Sequence, residues 1–249
     1  MRKLLLGVNV DHVATLRQAR YALLETSPNA EPSPLAACEA ARQGGADSIT
    51  IHVRGDRRHM QEGDAFAIRE QCELPLNLEM GNTAEMLALA LKLQPEFVCM
   101  VPETREEVTT EGGLDVVSAF AETQATVKSL QQNGIRVSLF IDPDLEQVEA
   151  AAQIGAEMIE LHTGAFCNVF GEERLAELSR LKAAAVRGHE RGLQVNAGHG
   201  LNYGNLLEFM AVPHLTELNI GHSIVSRAVM VGFEAAVREM KLLMEGYPA

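Results

Sequence analysis

The chain has 249 residues, 47% of them hydrophobic, and a formal net charge of -13. Its length fits one α/β barrel, and the acidic balance without a basic run argues against nonspecific nucleic-acid binding. No window is long and apolar enough for a membrane span, and the N-terminal segment reads as a strand rather than a signal peptide. Because the four cysteines show no C-x-x-C spacing, we expect a cytoplasmic protein without disulfides or structural zinc.

Eight short apolar runs predict eight strands, which read as apolar on both faces and therefore as parallel. In chain order they are Leu4–Val10, Ser48–Val53, Pro75–Met80, Phe97–Pro102, Arg136–Ile141, Met158–Thr163, Gln194–Ala197 and Glu217–Ile220. Helical periodicity lies between them, at Pro34–Gln43, Thr83–Leu93, Val116–Asn133, Leu145–Ile154, Glu172–Arg191, Tyr203–Ala211 and Ile224–Met244.

Glycines mark the points where helices end and strands follow, as at Gly45, Gly134, Gly155 and Gly192. Eight strands alternating with helices in this length predict a closed (β/α)8 barrel, with residues 1–249 forming a single domain. Two longer loops are predicted. Glu25–Ser33 follows strand 1, and Thr104–Gly113, which follows strand 4, is expected to close as a lid over the substrates.

Polar residues end six of the predicted strands, whereas the strand beginnings carry nothing comparable. Because the C-terminal ends of barrel strands converge on one mouth, these residues predict an active site there. Residues two apart on a strand point to the same face, so each such pair should face the barrel interior. The pairs are Asn9 with Asp11, His52 with Arg54, Asn77 with Glu79, and Glu160 with His162.

Strands 7 and 8 each end in glycine and histidine, at Gly198-His199-Gly200 and Gly221-His222. The loops after these two strands commonly bind phosphate through backbone N–H groups, so we expect a phosphate site there. A second anion site is expected where arginines follow strand 2. It would involve Arg54, Arg57, Arg58 and His59.

Lysine is absent from every predicted strand end, which excludes a lysine Schiff base with the substrate. Lys3 precedes strand 1, and the other four lysines fall within predicted helices. The remaining glutamates, histidines and aspartate are groups that move protons at carbonyls and amines.

Long motifs at these strand ends closely resemble the pyridoxine 5'-phosphate synthase family of the deoxyxylulose-dependent route to vitamin B6. The similarity runs from Leu4 to Met244 and departs mainly at Tyr21–Pro34. Its motifs include GVNVDHVATLRQAR, TIHVRGDRRH, NLEM, VPETREEVTTEGGLDV, VSLFID, IELHTG, VNAGHGLNYGN and ELNIGHSIVSRAVMVG.

The resemblance implies a barrel with extra helices, assembled as a homo-octamer, that works without cofactor or metal. It implies condensation of 3-amino-2-oxopropyl phosphate with 1-deoxy-D-xylulose 5-phosphate to pyridoxine 5'-phosphate, phosphate and water, a transferase reaction. The matching catalytic positions are His52, Glu79 and His199, with Glu160 as transition-state stabiliser. Asn9, Arg20, Gly200, Gly221 and His222 match the aminooxopropyl phosphate site, and Asp11, His12, Arg54, His59 and Thr109 match the deoxyxylulose phosphate site.

Two other function classes stay open. A metal-dependent barrel hydrolase would also place histidines and carboxylates at strand ends, but strand 1 reads Asn9-Val10-Asp11-His12 and lacks the usual H-x-H. A non-catalytic barrel could sense a phosphorylated metabolite, but it would not need Glu79 and Glu160. Metal analysis tests the first alternative, and a turnover assay tests the second.

Overall fold

The computed structural model describes residues 3–24, 27–103 and 112–247. Eight parallel strands form a closed barrel in which each strand pairs with the next and β8 pairs with β1, as predicted. The strands are β1 (Leu5–Asn9), β2 (Ser48–His52), β3 (Leu76–Met80), β4 (Phe97–Met100), β5 (Arg136–Ile141), β6 (Met158–His162), β7 (Gln194–Gly198) and β8 (Leu215–Ile220).

Among the described residues, three strands are each followed by two helices, which confirms a barrel with extra helices. The pairs are α1 (Asp11–Tyr21) with α2 (Pro34–Gly44) after β1, α7 (Gly164–Asn168) with α8 (Gly171–Glu190) after β6, and α10 (His222–Val231) with α11 (Phe233–Met244) after β8. The other helices are α3 (Glu62–Gln71), α4 (Ala84–Leu93), α5 (Phe120–Gln132), α6 (Leu145–Ile154) and α9 (Leu206–Phe209). Within the described ranges, no helix is long and apolar enough to cross a membrane.

Helix α1 was not predicted, because its sequence is mostly polar and buries a narrow stripe that includes Val13 and Ala14. It is held instead by an ion pair in which the two terminal guanidinium nitrogens of Arg17 donate to the carboxylate of Asp64 in α3, at 2.6 and 2.8 Å. Helix α3 was also missed, although Gln61 and Asp64 form a capping box at its start. The single final helix predicted from Ile224 to Met244 is wrong, since Gly232 adopts a φ of +87° and divides it.

The outer faces of the strands are apolar but the inner faces are mostly polar, so the expectation of two apolar faces was only partly right. Apolar residues inside the barrel include Cys99 of β4 and Phe140 of β5. Outward residues such as Leu6, Val8, Ile49 and Ile51 are fully buried against the helices and form the core there. The inward face of β2 carries Ser48, Thr50 and His52 instead. The barrel is therefore parallel and buried on both faces, but its lumen is polar.

Hydrogen bonds across the lumen join strands that are not neighbours. Thr50 of β2 donates to Asn219 Oδ1 of β8 (3.0 Å), and Asn219 Nδ2 donates to Glu160 Oε2 of β6 (2.6 Å). Ser48 and Glu217 make a similar contact nearer the strand beginnings (3.1 Å). Gly7 of β1 leaves room for this bridge, because a methyl group on it would overlap the Asn219 side chain. Polar residues thus line much of the barrel's length, not only its mouth as expected.

Candidate active site

Most of the predicted site residues lie together at the C-terminal mouth of the barrel. Asn9 ends β1, His52 ends β2 and Glu79 lies one residue before the end of β3. Glu160 lies deeper, in the middle of β6, where it is 2% exposed. The others follow the strand ends in the connecting segments. They are Asp11, His12, Arg54, His59, His199, Gly200, Gly221 and His222.

The end of β1 is tied to the end of β2 through the buried carboxylate of Asp11. Asp11 Oδ1 accepts a hydrogen bond from the backbone N–H of His52 (2.8 Å), and Oδ2 accepts one from Asn9 Nδ2 (2.8 Å). The backbone N–H of Asp11 in turn donates to Asn9 Oδ1 (2.9 Å). Asp11 therefore fixes the backbone of His52 as well as lying within the predicted substrate site.

The imidazole of His52 lies between two carboxylates. Its Nδ1 is 3.7 Å from Glu79 Oε2, and its Nε2 is 3.3 Å from Glu103 Oε2. Burial, followed by the charges of Asp11 and Glu160, raises the pKa of Glu79 well above its usual value. The protonated form of Glu79 is therefore favoured more than that of an ordinary glutamate, which suits a proton donor. Glu103 was missed in the sequence, because it lies in a loop three residues beyond β4 and outside any strand-end pattern.

Glu160 is the most deeply placed acidic group of the predicted catalytic set. Burial raises its pKa to about 7, although the hydrogen bond from Asn219 partly opposes that rise. Cys99 of β4 approaches the same carboxylate, with a sulfur-to-oxygen distance of 3.9 Å. A methyl group on Gly198 would overlap Glu160 Oε1, so the glycine at the end of β7 makes space for this carboxylate.

His199 follows β7 in a conformation that side chains rarely adopt. Its φ is +79°, and the φ of the following Gly200 is +88°. The hydroxyl of Thr163 holds this turn by donating to the carbonyl oxygens of Gly198 (2.8 Å) and His199 (2.5 Å). Backbone strain of this kind is commonly kept where it positions a functional side chain. Burial lowers the pKa of His199 to about 4, with further contributions from the charges of His162 and His12. The ring of His199 is therefore neutral at pH 7.

A second histidine–carboxylate pair lies beside His199. His162 Nδ1 is 3.0 Å from Asp142 Oδ1, and the rings of His162 and His199 have centroids 5.2 Å apart. The hydrogen bond from His162 lowers the pKa of Asp142, which also accepts from the backbone N–H of Gly113 (3.1 Å). The sequence placed His162 at a strand end, but Asp142 was missed because it follows β5 after an apolar stretch in which Phe140 stands two residues before it.

The ends of β1 and β8 meet where the phosphate site was predicted. Gly221 packs on Asn9, and a methyl group on this glycine would come 3.0 to 3.2 Å from the Asn9 side chain. The Nδ1 atoms of His12 and His222 are 2.7 Å apart, so one ring donates to the other. Burial, then His222, lowers the pKa of His12. A phosphate bound there would offer both rings a charged acceptor.

Two of the four residues expected to form an anion site after β2 are instead paired with acidic side chains. Arg54 is buried and His59 is half-buried, and the His59 ring centroid lies 6.2 Å from that of His52. Arg57 instead binds Glu62 and Glu85, and Arg58 binds Asp56. Burial is the first cause that lowers the pKa of His59.

Two predicted residues are not placed in this cluster. Arg20 is exposed in the last turn of α1, with its guanidinium 5.8 Å above the Tyr21 ring. Thr109 and most of the predicted lid, residues 104–111, lie outside the described residues. Among the residues that are described, no group of three or more His, Cys, Asp or Glu side chains converges as a metal site would require.

The comparisons with known proteins agree on one enzyme family. Residues 6–246 match the family described as "Pyridoxal phosphate biosynthesis protein PdxJ". The pyridoxine 5'-phosphate synthase of Akkermansia muciniphila is 64% identical over 96% of this chain and 97% of its own length. That of Opitutus terrae is 53% identical over 97% of this chain and 99% of its own.

Solved structures with little sequence similarity share the fold. Phosphoribosylanthranilate isomerase from Thermotoga maritima superposes with a TM-score of 0.61 at 12% identity, covering 98% of this chain and 99% of that one. The enzyme from Thermus thermophilus gives 0.60 at 14% identity, covering 98% of both chains. At this identity the likeness shows the barrel alone.

Proposed function

Because the chain belongs to the pyridoxine 5'-phosphate synthase family, we propose that it condenses 3-amino-2-oxopropyl phosphate with 1-deoxy-D-xylulose 5-phosphate. The products are pyridoxine 5'-phosphate, inorganic phosphate and water, and the reaction is a cofactor-free, ring-closing condensation of the transferase class. One observation carries the chemistry: Glu79 with a raised pKa, a neutral His199, and His52 held between two carboxyl groups share the mouth of the barrel. Acid–base groups in both protonation states are what imine formation and tautomerisation need.

The position of the lysines supports an imine between the two substrates rather than with the protein. Lys241 binds Asp47, next to the beginning of β2 and therefore at the end of the barrel opposite the mouth. Lys3 precedes β1 at that same end. The remaining lysines lie on α4, α5 and α8. The amine of the aminooxopropyl substrate is then the nucleophile that attacks the ketone of the deoxyxylulose substrate.

Glu79 serves two successive steps in this scheme. Its protonated carboxyl donates a proton to the hydroxyl of the tetrahedral adduct, which leaves as water and gives the protonated imine. The carboxylate that remains then removes a carbon-bound proton from this cation, which gives the neutral enamine and restores the protonated carboxyl. A raised pKa makes both directions accessible near neutral pH. Neutral His199 is a second proton acceptor, on the opposite side of the mouth at the end of β7.

Two phosphate-binding regions hold the reactants in attack geometry. Gly200, Gly221 and His222 would bind the aminooxopropyl phosphate at the ends of β7 and β8. Arg54 and His59 would bind the deoxyxylulose phosphate after β2, with Asn9, Asp11 and His12 between the two regions. Holding two reactants in this way contributes several kcal/mol, up to ~7–11 in the best intramolecular systems.

Exposed apolar side chains support the further proposal that the chain is a homo-oligomer, an octamer by family resemblance. Leu23 is 97% exposed, Met230 of α10 is 80% exposed and Phe170 is 78% exposed. Large apolar side chains exposed to this degree are typical of surfaces that another subunit covers. Analytical ultracentrifugation measures the assembly directly, and a monomeric sedimentation coefficient would contradict the proposal.

The test of the proposed reaction is incubation with both phosphorylated substrates, with each omitted in turn. We expect pyridoxine 5'-phosphate and an equal amount of inorganic phosphate only when both are present. Metal analysis and assay after dialysis against a chelator address the metal-dependent alternative. Phosphate release from either substrate alone, or loss of activity on chelation, would favour a hydrolase instead.

A further inference from the structure

The ring of His52 is held from both sides by carboxyl groups whose pKa values are shifted in opposite directions. Glu79 faces Nδ1 at 3.7 Å, and burial is the first cause that raises its pKa well above the usual value. Glu103 faces Nε2 at 3.3 Å. Burial alone would raise the pKa of Glu103, but hydrogen bonds from His52 and from the backbone of Gly55 outweigh burial and lower it. Glu103 is therefore an ionised, acceptor-only group.

The fold places Glu103 firmly beside His52. Its Oε1 accepts a hydrogen bond from the backbone N–H of Gly55, at 2.6 Å, which leaves Oε2 facing the imidazole. Gly81, just after β3, lets the side chain pass, since a methyl group on Gly81 would lie 2.9 Å from Glu103 Oε2 and 3.1 Å from its Cβ. The segments that follow β2, β3 and β4 thus meet at this one carboxylate.

An acceptor at Nε2 decides which ring nitrogen carries the proton. A carboxylate cannot donate, so the hydrogen bond requires a proton on Nε2. In the neutral ring Nδ1 then carries the lone pair, and this lone pair faces Glu79 Oε2. Only in this tautomer can Nδ1 accept a hydrogen bond from the Glu79 carboxyl when that carboxyl carries its proton.

We propose that Glu103 is a positioning residue that fixes His52 in the Nε2–H tautomer and so presents Nδ1 as a hydrogen-bond acceptor toward Glu79. This role deepens the proposed function and rests on it for its catalytic meaning. A purely structural Glu103 would tie the loops together without affecting the tautomer.

Long-range ¹H–¹⁵N spectra of the ¹⁵N-labelled full chain near neutral pH report the tautomer directly. The His52 signals are identified by their loss in His52→Gln. In the wild-type protein we expect a protonated Nε2 and an unprotonated Nδ1. In Glu103→Gln, the amide oxygen keeps the bond from Gly55, and the amide NH2 then faces His52 Nε2, so the ring should change to the Nδ1–H tautomer.

Turnover on the two phosphorylated substrates should fall roughly 10²-fold in Glu103→Gln, with KM values changed less than about threefold. Glu190→Gln is the matched control, because it removes a carboxylate bound to Arg187 at the far end of α8, away from the mouth. A wild-type His52 that is protonated on Nδ1, or on both nitrogens, would overturn the proposal, as would an unchanged tautomer in Glu103→Gln. The expected tautomers without wild-type turnover would leave the positioning intact and refute the proposed function.

Discussion

The buried carboxyl of Glu160 should make the protein less stable as the pH rises, and Glu160→Gln should remove that effect. Glu160 is 2% exposed, and burial raises its pKa from 4.5 to about 7. Glutamine keeps the shape and can still accept the 2.6 Å hydrogen bond from Asn219. Its NH2 group replaces the donor that the protonated carboxyl provides.

The sign and size follow from the two pKa values. Well below pH 4.5, the carboxyl is protonated in both the folded and the unfolded chain, so it has no effect on the pH dependence of stability. Between pH 4.5 and 7 the unfolded chain loses the proton while the folded protein retains it, and the free energy of unfolding falls. A difference of about 2.5 pKa units at ~1.4 kcal/mol each gives roughly 3–3.5 kcal/mol above pH 7. For a chain of this size that is roughly 6–12 °C in Tm.

Urea unfolding of the wild type, Glu160→Gln and the exposed control Glu190→Gln at pH 5 and pH 8.5 measures this difference. We expect Glu160→Gln to be more stable than the wild type by about 3 kcal/mol at pH 8.5 and by less than about 1 kcal/mol at pH 5. Glu190→Gln should match the wild type at both. The reasoning is refuted if Glu160→Gln is destabilised at pH 8.5, or if its advantage is the same at both pH values.

Three further outcomes are expected. Glu79→Gln should fold and bind inorganic phosphate like the wild type in calorimetry but lose 10²–10⁴-fold in turnover, roughly 3–5 kcal/mol of barrier; near-normal turnover would remove Glu79 from the mechanism. Gly44→Ala should lower the free energy of unfolding in urea by about 1–3 kcal/mol, because its methyl group would lie 2.7 Å from atoms of α11. In the control Gly63→Ala, in α3, the methyl group meets nothing within 4 Å, so this variant should be neutral or slightly stabilised. Equal effects of the two substitutions would contradict this packing. Asp142→Asn should shift the His162 ring signals in ¹⁵N spectra, and unchanged signals would mean that the 3.0 Å contact does not form in solution.

The sequence predicted the barrel and its mouth because both depend on local patterns. Strand ends such as that of Glu79 are visible as polar residues closing an apolar run, and the parallel topology brings those ends together. The polar lumen was not predicted, although Ser48, Thr50 and His52 alternate with isoleucines in β2 and this alternation indicates one polar face. Barrel interiors of this fold are usually filled by branched apolar side chains, so a polar interior along the whole strand is not expected from the fold.

Glu103 and Asp142 could not be found in the same way. Each lies in a connecting segment, and each acquires its role from a partner on another strand, His52 of β2 or His162 of β6. Contacts 51 and 20 residues apart in sequence leave no periodic signal. Helix α1 was missed for a related reason. Its own apolar stripe is narrow, and the ion pair that holds it joins Arg17 to Asp64 of α3, which is distant in sequence.

The most direct test of the central claim is product formation from the two proposed substrates by the purified chain. Protein incubated with 3-amino-2-oxopropyl phosphate and 1-deoxy-D-xylulose 5-phosphate should develop the near-ultraviolet absorbance of a pyridine ring, with one phosphate released per ring formed. The mass of the product should be that of pyridoxine 5'-phosphate, and Glu79→Gln should produce almost none. Phosphate release without a pyridine product, or equal product from the wild type and Glu79→Gln, would contradict the account.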